Sequence, residues 1–266
     1  MGCAARLPRI NVVKTPEIAI VATTVANVAA YRFVPLDDLP SLRRMLHDSA
    51  SKAGLKGTVL LAEEGINFSL AGEPAALQGW LDALQVDPRF AALPLKRSKS
   101  AAMPFARLKV KIKREIIRMN QPTVRPALSR AAAVDAPTLA RWLQASRCGA
   151  GRDLVLLDTR NGFEVDAGAF KGALNWRLPA FGDFPRAFAA HAPALAGKTV
   201  VSYCTGGIRC EKAALWMQQQ GIEHALQLDG GILGYFDAVP GAPGWRGRCF
   251  VFDEREGLDT ELQAAA

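Results

Sequence analysis

The chain is poor in the residues from which metal and disulfide sites are built. Its 266 residues hold three histidines, His47, His191 and His224, and none belongs to an H-x-D or comparable iron-binding pattern. The five cysteines, Cys3, Cys148, Cys204, Cys210 and Cys249, are odd in number and lack metal or small-domain disulfide spacing. They point to a reducing compartment and to functional thiols. No run reaches the ~18 unbroken apolar residues of a membrane span. The apolar stretch at 18–30 is interrupted by Thr23, Thr24 and Asn27 and has no signal-peptide layout. A cytoplasmic protein without membrane attachment is expected. Aromatic residues are 8% of the chain, few for a sheet that reads RNA by stacking.

What is abundant is positive charge in one half. Residues 1–125 hold 19 Lys or Arg against 10 Asp or Glu, and residues 126–266 hold 14 against 15. The whole net charge of +8 therefore lies in the first half. Such asymmetry suits a polyanionic partner, although a positive surface also simply solubilises. Between Lys96 and Arg118 stand nine basic residues and one acidic residue, Glu115.

Periodicity divides the first half into a strand at 26–34, a helix at 39–53 and a strand at 57–62. A turn follows at 63–67, then a strand at 68–72, a helix at 73–84 and a strand at 107–117. Leu39, Leu42, Met45 and Leu46 mark the inner face of the first helix, and Leu77, Trp80, Leu81 and Leu84 that of the second. This β-α-β-β-α-β order is the ferredoxin-like plan. In the last strand, alternation assigns Leu108, Val110 and Ile112 to the core. Arg107, Lys109, Lys111 and Lys113 then lie on an open face, as tRNA-binding candidates or as edge protection. Residues 121–137, with Pro122 and Pro126, read as a linker.

The second half alternates helices with buried strands: a helix at 138–144, strands at 154–158, 198–203 and 225–231, and a helix at 232–239. A parallel sheet covered on both faces is expected. The overall class is α/β. A ferredoxin-like basic domain at 18–120 precedes a parallel-sheet domain at 138–245 and a tail at 246–266. Ligands of such sheets gather beyond the carboxyl ends of the strands, where Asp158, Arg160 and Cys204 fall.

The segment CTGGIRC, 204–210, joins a strand to a helix. Gly206 and Gly207 remove side chains where backbone would wrap a ligand, and Arg209 adds positive charge. Such a cradle stabilises a thiolate, so Cys204 is the candidate nucleophile. Cys210 is either a second thiol or a packing residue. Asn67, after a buried strand, could touch a base or ribose, or merely shape a turn.

The six residues Cys204-Thr205-Gly206-Gly207-Ile208-Arg209 resemble the loop of a rhodanese domain. LLDTRNGFEVDAGAFKGALN at 156–175 is similar to that domain's earlier Asp-x-Arg, Glu and Gly-x-x-x-Gly-Ala elements. Cell-cycle dual-specificity phosphatases carry a loop one residue longer. With LLAEEGIN at 60–67, PFARLKVKIKREII at 104–117 and GRCFVFDER at 247–255, the chain resembles the bacterial oxygen-dependent tRNA uridine(34) hydroxylases from about residue 20 to residue 255. The resemblance implies conversion of wobble uridine to 5-hydroxyuridine, with molecular oxygen as co-substrate, tRNA as partner and no identifiable bound cofactor or metal. It implies Cys204 and Arg209 as catalytic residues, supported by Asp158, Arg160, Glu164 and Cys210. Arg160, Glu164 and Arg209 would line one pocket with Asp158 at its floor. The base would sit between the two domains. A plain sulfurtransferase and a non-catalytic RNA-binding protein are the competing readings.

Overall fold

The computed structural model describes residues 24–264; Cys3 and the expected first residues of the basic domain, 18–23, lie outside them. The first unit runs β1 (Val25–Phe33), α1 (Leu39–Lys52), β2 (Lys56–Ala62), β3 (Gly65–Gly72), α2 (Pro74–Gln85), β4 (Lys96–Ser100) and β5 (Leu108–Ile112). Its sheet has the order β4-β1-β3-β2-β5. β1 is antiparallel to β3 and β4, β2 and β3 form a hairpin, and β5 lies parallel to β2.

The ferredoxin-like plan is therefore present with one strand more than expected. Its fourth strand is β4, and the basic strand expected from alternation is an extra one on the opposite edge. KRSKS carries no apolar residue, so periodicity passes over it: this edge strand buries backbone and little side chain. β5 also ends early. Ile112, assigned to the core, is 41% exposed because it closes an edge strand at the rim, and Met45 on α1 is 51% exposed. Leu42, Leu46 and Ala50 carry α1 onto the sheet instead, and α2 buries the four residues expected of it. The turn after β2 is only Glu63-Glu64, so Ile66 and Asn67 belong to β3.

The helices cover one sheet face, packed on Val28, Val59, Leu61, Ile66, Phe68 and Leu70. Since side chains alternate and cross-strand partners share a face, Lys96, Ala29, Ser69, Thr58 and Lys109 form one row on the other face. Tyr31, Asn67, Leu60 and Lys111 form the next row.

The second unit comprises β6 (Ala133–Val134), α3 (Ala136–Ala145), β7 (Leu154–Asp158), α4 (Gly162–Ala167), β8 (Gly168–Phe170), β9 (Leu174–Asn175), α5 (Phe184–His191), β10 (Thr199–Tyr203), α6 (Ile208–Gln219), β11 (Ala225–Leu228) and α7 (Gly231–Ala238). Short strands β12 (Trp245–Gly247), β13 (Cys249–Phe250) and β14 (Gly257–Leu258) follow. The sheet β6-β11-β10-β7-β9 is parallel throughout. Val200 faces α5 and α6, while Val201 and Tyr203 face α3 and α7. Both faces are covered, so every residue of β10 is buried. The segment expected as a linker contributes β6 to this sheet.

The open face of the first sheet packs toward the carboxyl ends of the second. Lys212 of α6, 1% exposed, donates to Glu64 Oε1 at 2.9 Å, Glu115 Oε2 at 2.7 Å and the Ile117 carbonyl at 3.1 Å. An ammonium has three protons, and all three are satisfied. At the other side of the junction, Arg255 pairs with Asp253 at 2.6 Å and donates to Ser98 of β4 at 2.7 Å. Replacing Lys212 by Met strands two carboxylates at the junction. The expected loss lies toward the lower end of the about 3–5 kcal/mol that breaking a buried pair costs, because Glu64 and Glu115 each keep about a fifth of their side chains exposed. Urea unfolding of Lys212→Met measures this, and an unchanged midpoint would remove the clamp from the stabilising interactions.

Candidate active site

Cys204 follows β10 directly and is fully buried. The Gly207 N–H donates to its sulfur at 3.2 Å, and the start of α6 brings the amides of Arg209 and Cys210 toward it. Gly207 has φ of +105°, and a Cβ there would come within 2.9 Å of the Tyr31 hydroxyl. Gly231 opposes it with φ of +63°, and its Cβ would meet the Cys204 carbonyl at 2.5 Å. The two glycine pairs thus let α7 close on the loop. Ile232 N–H bonds the Cys204 carbonyl at 2.9 Å, and Leu233 N–H bonds that of Thr205 at 3.0 Å. The loop's carbonyls are held by one helix start while its amides face the sulfur.

Burial alone would raise the Cys204 pKa. The adjacent Cys210 thiol, the Arg209 charge and the amides of Cys210 and Arg209 together outweigh burial and bring it down to about 5. Cys210 shifts oppositely: burial, then the neighbouring Cys204, push its thiol up. Its sulfur donates to the Gly207 carbonyl at 2.9 Å. The opposite shifts favour the thiolate at Cys204 and the thiol at Cys210.

Arg209 is held in a two-pronged pair with Glu164, at 2.5 and 2.7 Å. Glu164 is fully buried and comes from α4, so the two halves of the rhodanese-like signature meet here. Arg160 and Asp158 form a second pair, also fully buried, with Nη2 to Oδ2 at 2.7 Å. Arg160 further donates to the carbonyls of Gly168 and Glu164 and lies over Tyr203 and Trp245. It braces the strand ends from behind. Arg160, Glu164 and Asp158, expected to wall and floor the pocket, are not among its lining residues; Arg209, Thr205, Gly206, Ile208 and Cys204 are.

The cavity in front of Cys204 has a volume of about 780 Å³ and lies between the domains. One wall is the open sheet face, with Ala29, Tyr31, Thr58, Leu60, Asn67 and Ser69; the other is the Cys204 loop with Asp229, Gly230 and Leu233. Lys96, Arg118 and Arg130 bring cations to it, and Phe105, Phe181 and Phe252 bring aromatic surface. Asn67 lies on a strand facing the cavity, and its amide donates to the Ile116 carbonyl at 3.1 Å. Arg107, Lys109, Lys111 and Lys113 do not line it. Lys109 and Lys111 sit beside Thr58 and Leu60 on the edge strand, so the basic row borders the cavity.

Several site residues escape a linear reading. The Tyr31 hydroxyl donates to Glu211 Oε2 at 2.8 Å across the junction, against the Gly207 turn. Burial raises the Glu211 pKa, and Arg130 approaches it at 3.4 Å. Glu211 and Lys212 look in sequence like the polar side of a helix, yet both are buried. The only linear hint is their place directly after the loop. Phe252 belongs to the tail, which linear pattern sets apart from both domains. Among the described residues no group of three or more His, Cys, Asp or Glu could hold a metal ion.

A thiolate with a pKa of about 5 stays reactive well below the range of an ordinary thiol near 8.5. Alkylation of Cys204 by iodoacetamide, followed by peptide mass, is expected to stay near its neutral rate at pH 6 and to fall tenfold per pH unit below about 5. Arg209→Lys loses the forked pair with Glu164. Its alkylation profile should move to higher pH as the cation loses its fixed place, and an unmoved profile would show that the fork to Glu164 is not needed to hold the charge at the sulfur.

Residues 25–116 match the UPF0176 acylphosphatase like domain, and residues 139–238 match the Rhodanese-like domain. A tRNA uridine(34) hydroxylase of Bordetella pertussis is 57% identical over 244 residues, 92% of this chain and all of that protein. The protein of that name from Variovorax paradoxus is 56% identical, covering 91% of this chain and 92% of its own. That from Cupriavidus necator is 50% identical over 91% of this chain and 85% of its own. With both domains matched and such identity across nearly the whole of its relatives, this chain belongs to the tRNA uridine(34) hydroxylase family.

Proposed function

We propose that the chain hydroxylates uridine 34 of tRNA at C5, with molecular oxygen as co-substrate, in the cavity between the two domains. The observation that carries this reading is the cavity itself: the basic unit supplies one wall and the Cys204 loop the other. Its volume of about 780 Å³ lies within the about 300–1,000 Å³ usual for small-molecule sites, enough for an extruded nucleotide. An anticodon loop presents bases already free of a duplex, so turning one into a pocket costs little. Lys109 and Lys111 beside the cavity, with Arg107 and Lys113 flanking their strand, hold the phosphates. Lys96, Arg118 and Arg130 carry that grip inward. Phe105, Phe181 and Phe252 offer faces and edges to the base. Asn67, tied to the Ile116 carbonyl, fixes the chain segment that walls the base. Cys204 is the reactive group against the base, and Arg209 holds its negative charge. Action on tRNA fits a cytoplasmic protein.

A plain sulfurtransferase would use the same loop and the same thiolate. A small sulfur donor needs neither the far wall nor the basic rim, and this favours the tRNA reading. A merely RNA-binding role has no use for a buried thiolate.

Nucleoside analysis of tRNA from a deletion strain should show loss of 5-hydroxyuridine and its derivatives. Wild-type chain restores them, and Cys204→Ala at equal abundance does not; restoration by that variant would sink the nucleophile. Unchanged hydroxylation with altered thiolation would favour the sulfurtransferase instead. In binding assays with the full chain, affinity for tRNA should fall steeply with salt. Lys111→Ala should flatten the slope by about 0.7–0.9 for each phosphate it leaves without a cation. Asn67→Ala should lower turnover more than affinity, and parent-level values for both would make Asn67 scaffolding.

A further inference from the structure

Cys210 has no part in holding the base. It is fully buried, stands behind Cys204 and does not line the cavity. Yet the two sulfurs bond opposite ends of a single residue: Cys204 accepts from the Gly207 N–H at 3.2 Å, and Cys210 donates to the Gly207 carbonyl at 2.9 Å. Neither is in a disulfide, and of the two only Cys204 lines the cavity. A thiolate lining the cavity, backed by a thiol outside its lining, is the arrangement of an attacking and a resolving cysteine. The opposite directions of the two pKa shifts fit that division of labour.

The hydroxylation needs a two-electron donor. Inserting one atom of O₂ into the C5–H bond leaves a second oxygen atom, and taking that atom to water requires two electrons and two protons that the base does not provide. Resting on the hydroxylase reading, we propose that Cys204 and Cys210 supply those two electrons and end each turnover as a disulfide that a thiol reductant reopens. The steps balance. The base and O₂ together give a peroxide at the base, with both oxygen atoms retained. The Cys204 thiolate attacks its outer oxygen; the O–O bond breaks, an S–O bond forms, and the inner oxygen takes up the proton that the Cys204 thiol gave up, so the base keeps a hydroxyl as Cys204 becomes a sulfenic acid. The Cys210 sulfur then attacks Cys204; the S–O bond breaks, the S–S bond forms, and the departing hydroxide takes the Cys210 proton as water. The sum is one C–H bond, one O₂ and two thiols giving one C–OH, one water and one disulfide. Two equivalents of an external thiol, leaving as their own disulfide, or one dithiol restore both cysteines.

The test has two arms, both on the full chain. In the first, reduced protein freed of thiol is treated with hydrogen peroxide and digested with trypsin without reductant. Cleavage after Lys198, Arg209 and Lys212 separates the two cysteines, so a pair appears as peptide 199–209 joined to peptide 210–212. This arm needs neither tRNA nor activity. The linked peptides are expected from wild type; in Cys210→Ser a cyclic dione should trap Cys204 as sulfenic acid. Wild-type Cys204 passing to the sulfinic acid while Cys210 stays a thiol would overturn the pair, whether or not the variant folds. In the second arm, the reduced chain meets unmodified tRNA in air. Without added thiol, it should yield one equivalent of 5-hydroxyuridine with the same linkage, and dithiothreitol should restore repeated turnover. Repeated turnover without thiol, with Cys210 still reduced, would overturn the electron role. No 5-hydroxyuridine even with thiol present, beside a linked pair in the first arm, would overturn the hydroxylase reading and leave the disulfide standing.

Discussion

The ammonium of Lys212 is surrounded by three acceptors, two of them carboxylates from the other domain, and the position of the reactive loop depends on that clamp. Lys212 is on the first turns of α6, so fixing it fixes the helix start that serves Cys204. Its partners are themselves engaged: Glu64 accepts the Ile116 N–H, and Glu115 accepts those of Met119 and Asn120. These bonds fold residues 115–120 into the cavity wall. A buried cation without them would be costly, so domain docking and cavity formation are one event.

Around Cys204 the same logic holds on a smaller scale. Burial opposes a thiolate, and the loop answers with amides, the Arg209 charge and a neighbouring thiol. Arg209 is buried too and needs Glu164, which comes from an element 45 residues upstream. The positive and negative groups alternate outward from the sulfur, and each is satisfied by the next. The Asp158–Arg160 pair repeats this behind the strand ends, outside the cavity lining.

The tail closes the assembly. Phe252 lines the cavity, the Glu254 N–H bonds the Pro104 carbonyl, and Arg255 reaches Ser98 on β4. A segment that follows the second domain thus holds the first. The junction is tied on both flanks, by Lys212 on one and Arg255 on the other, with the cavity between them.

The sequence by itself determined the elements with strong periodicity and the local chemistry. The apolar spacing of α2, the buried run of β10 and the CTGGIRC turn act over neighbouring residues, so they can be read along the chain. The charge asymmetry is likewise a sum over residues and needs no coordinates. What the tertiary structure decided is whatever depends on pairing across distance. KRSKS is a strand because β1 lends it hydrogen bonds, not because of its side chains. Ile112 alternates like a core residue and is exposed because its strand lies at an edge. Asn67 belongs to a strand because the hairpin turn takes only two residues. Tyr31, Glu211 and Lys212 became site and junction residues because a sheet face 180 residues away in sequence packs against α6. Linear pattern reports which face of an element is apolar; only docking reports which polar face another domain will bury.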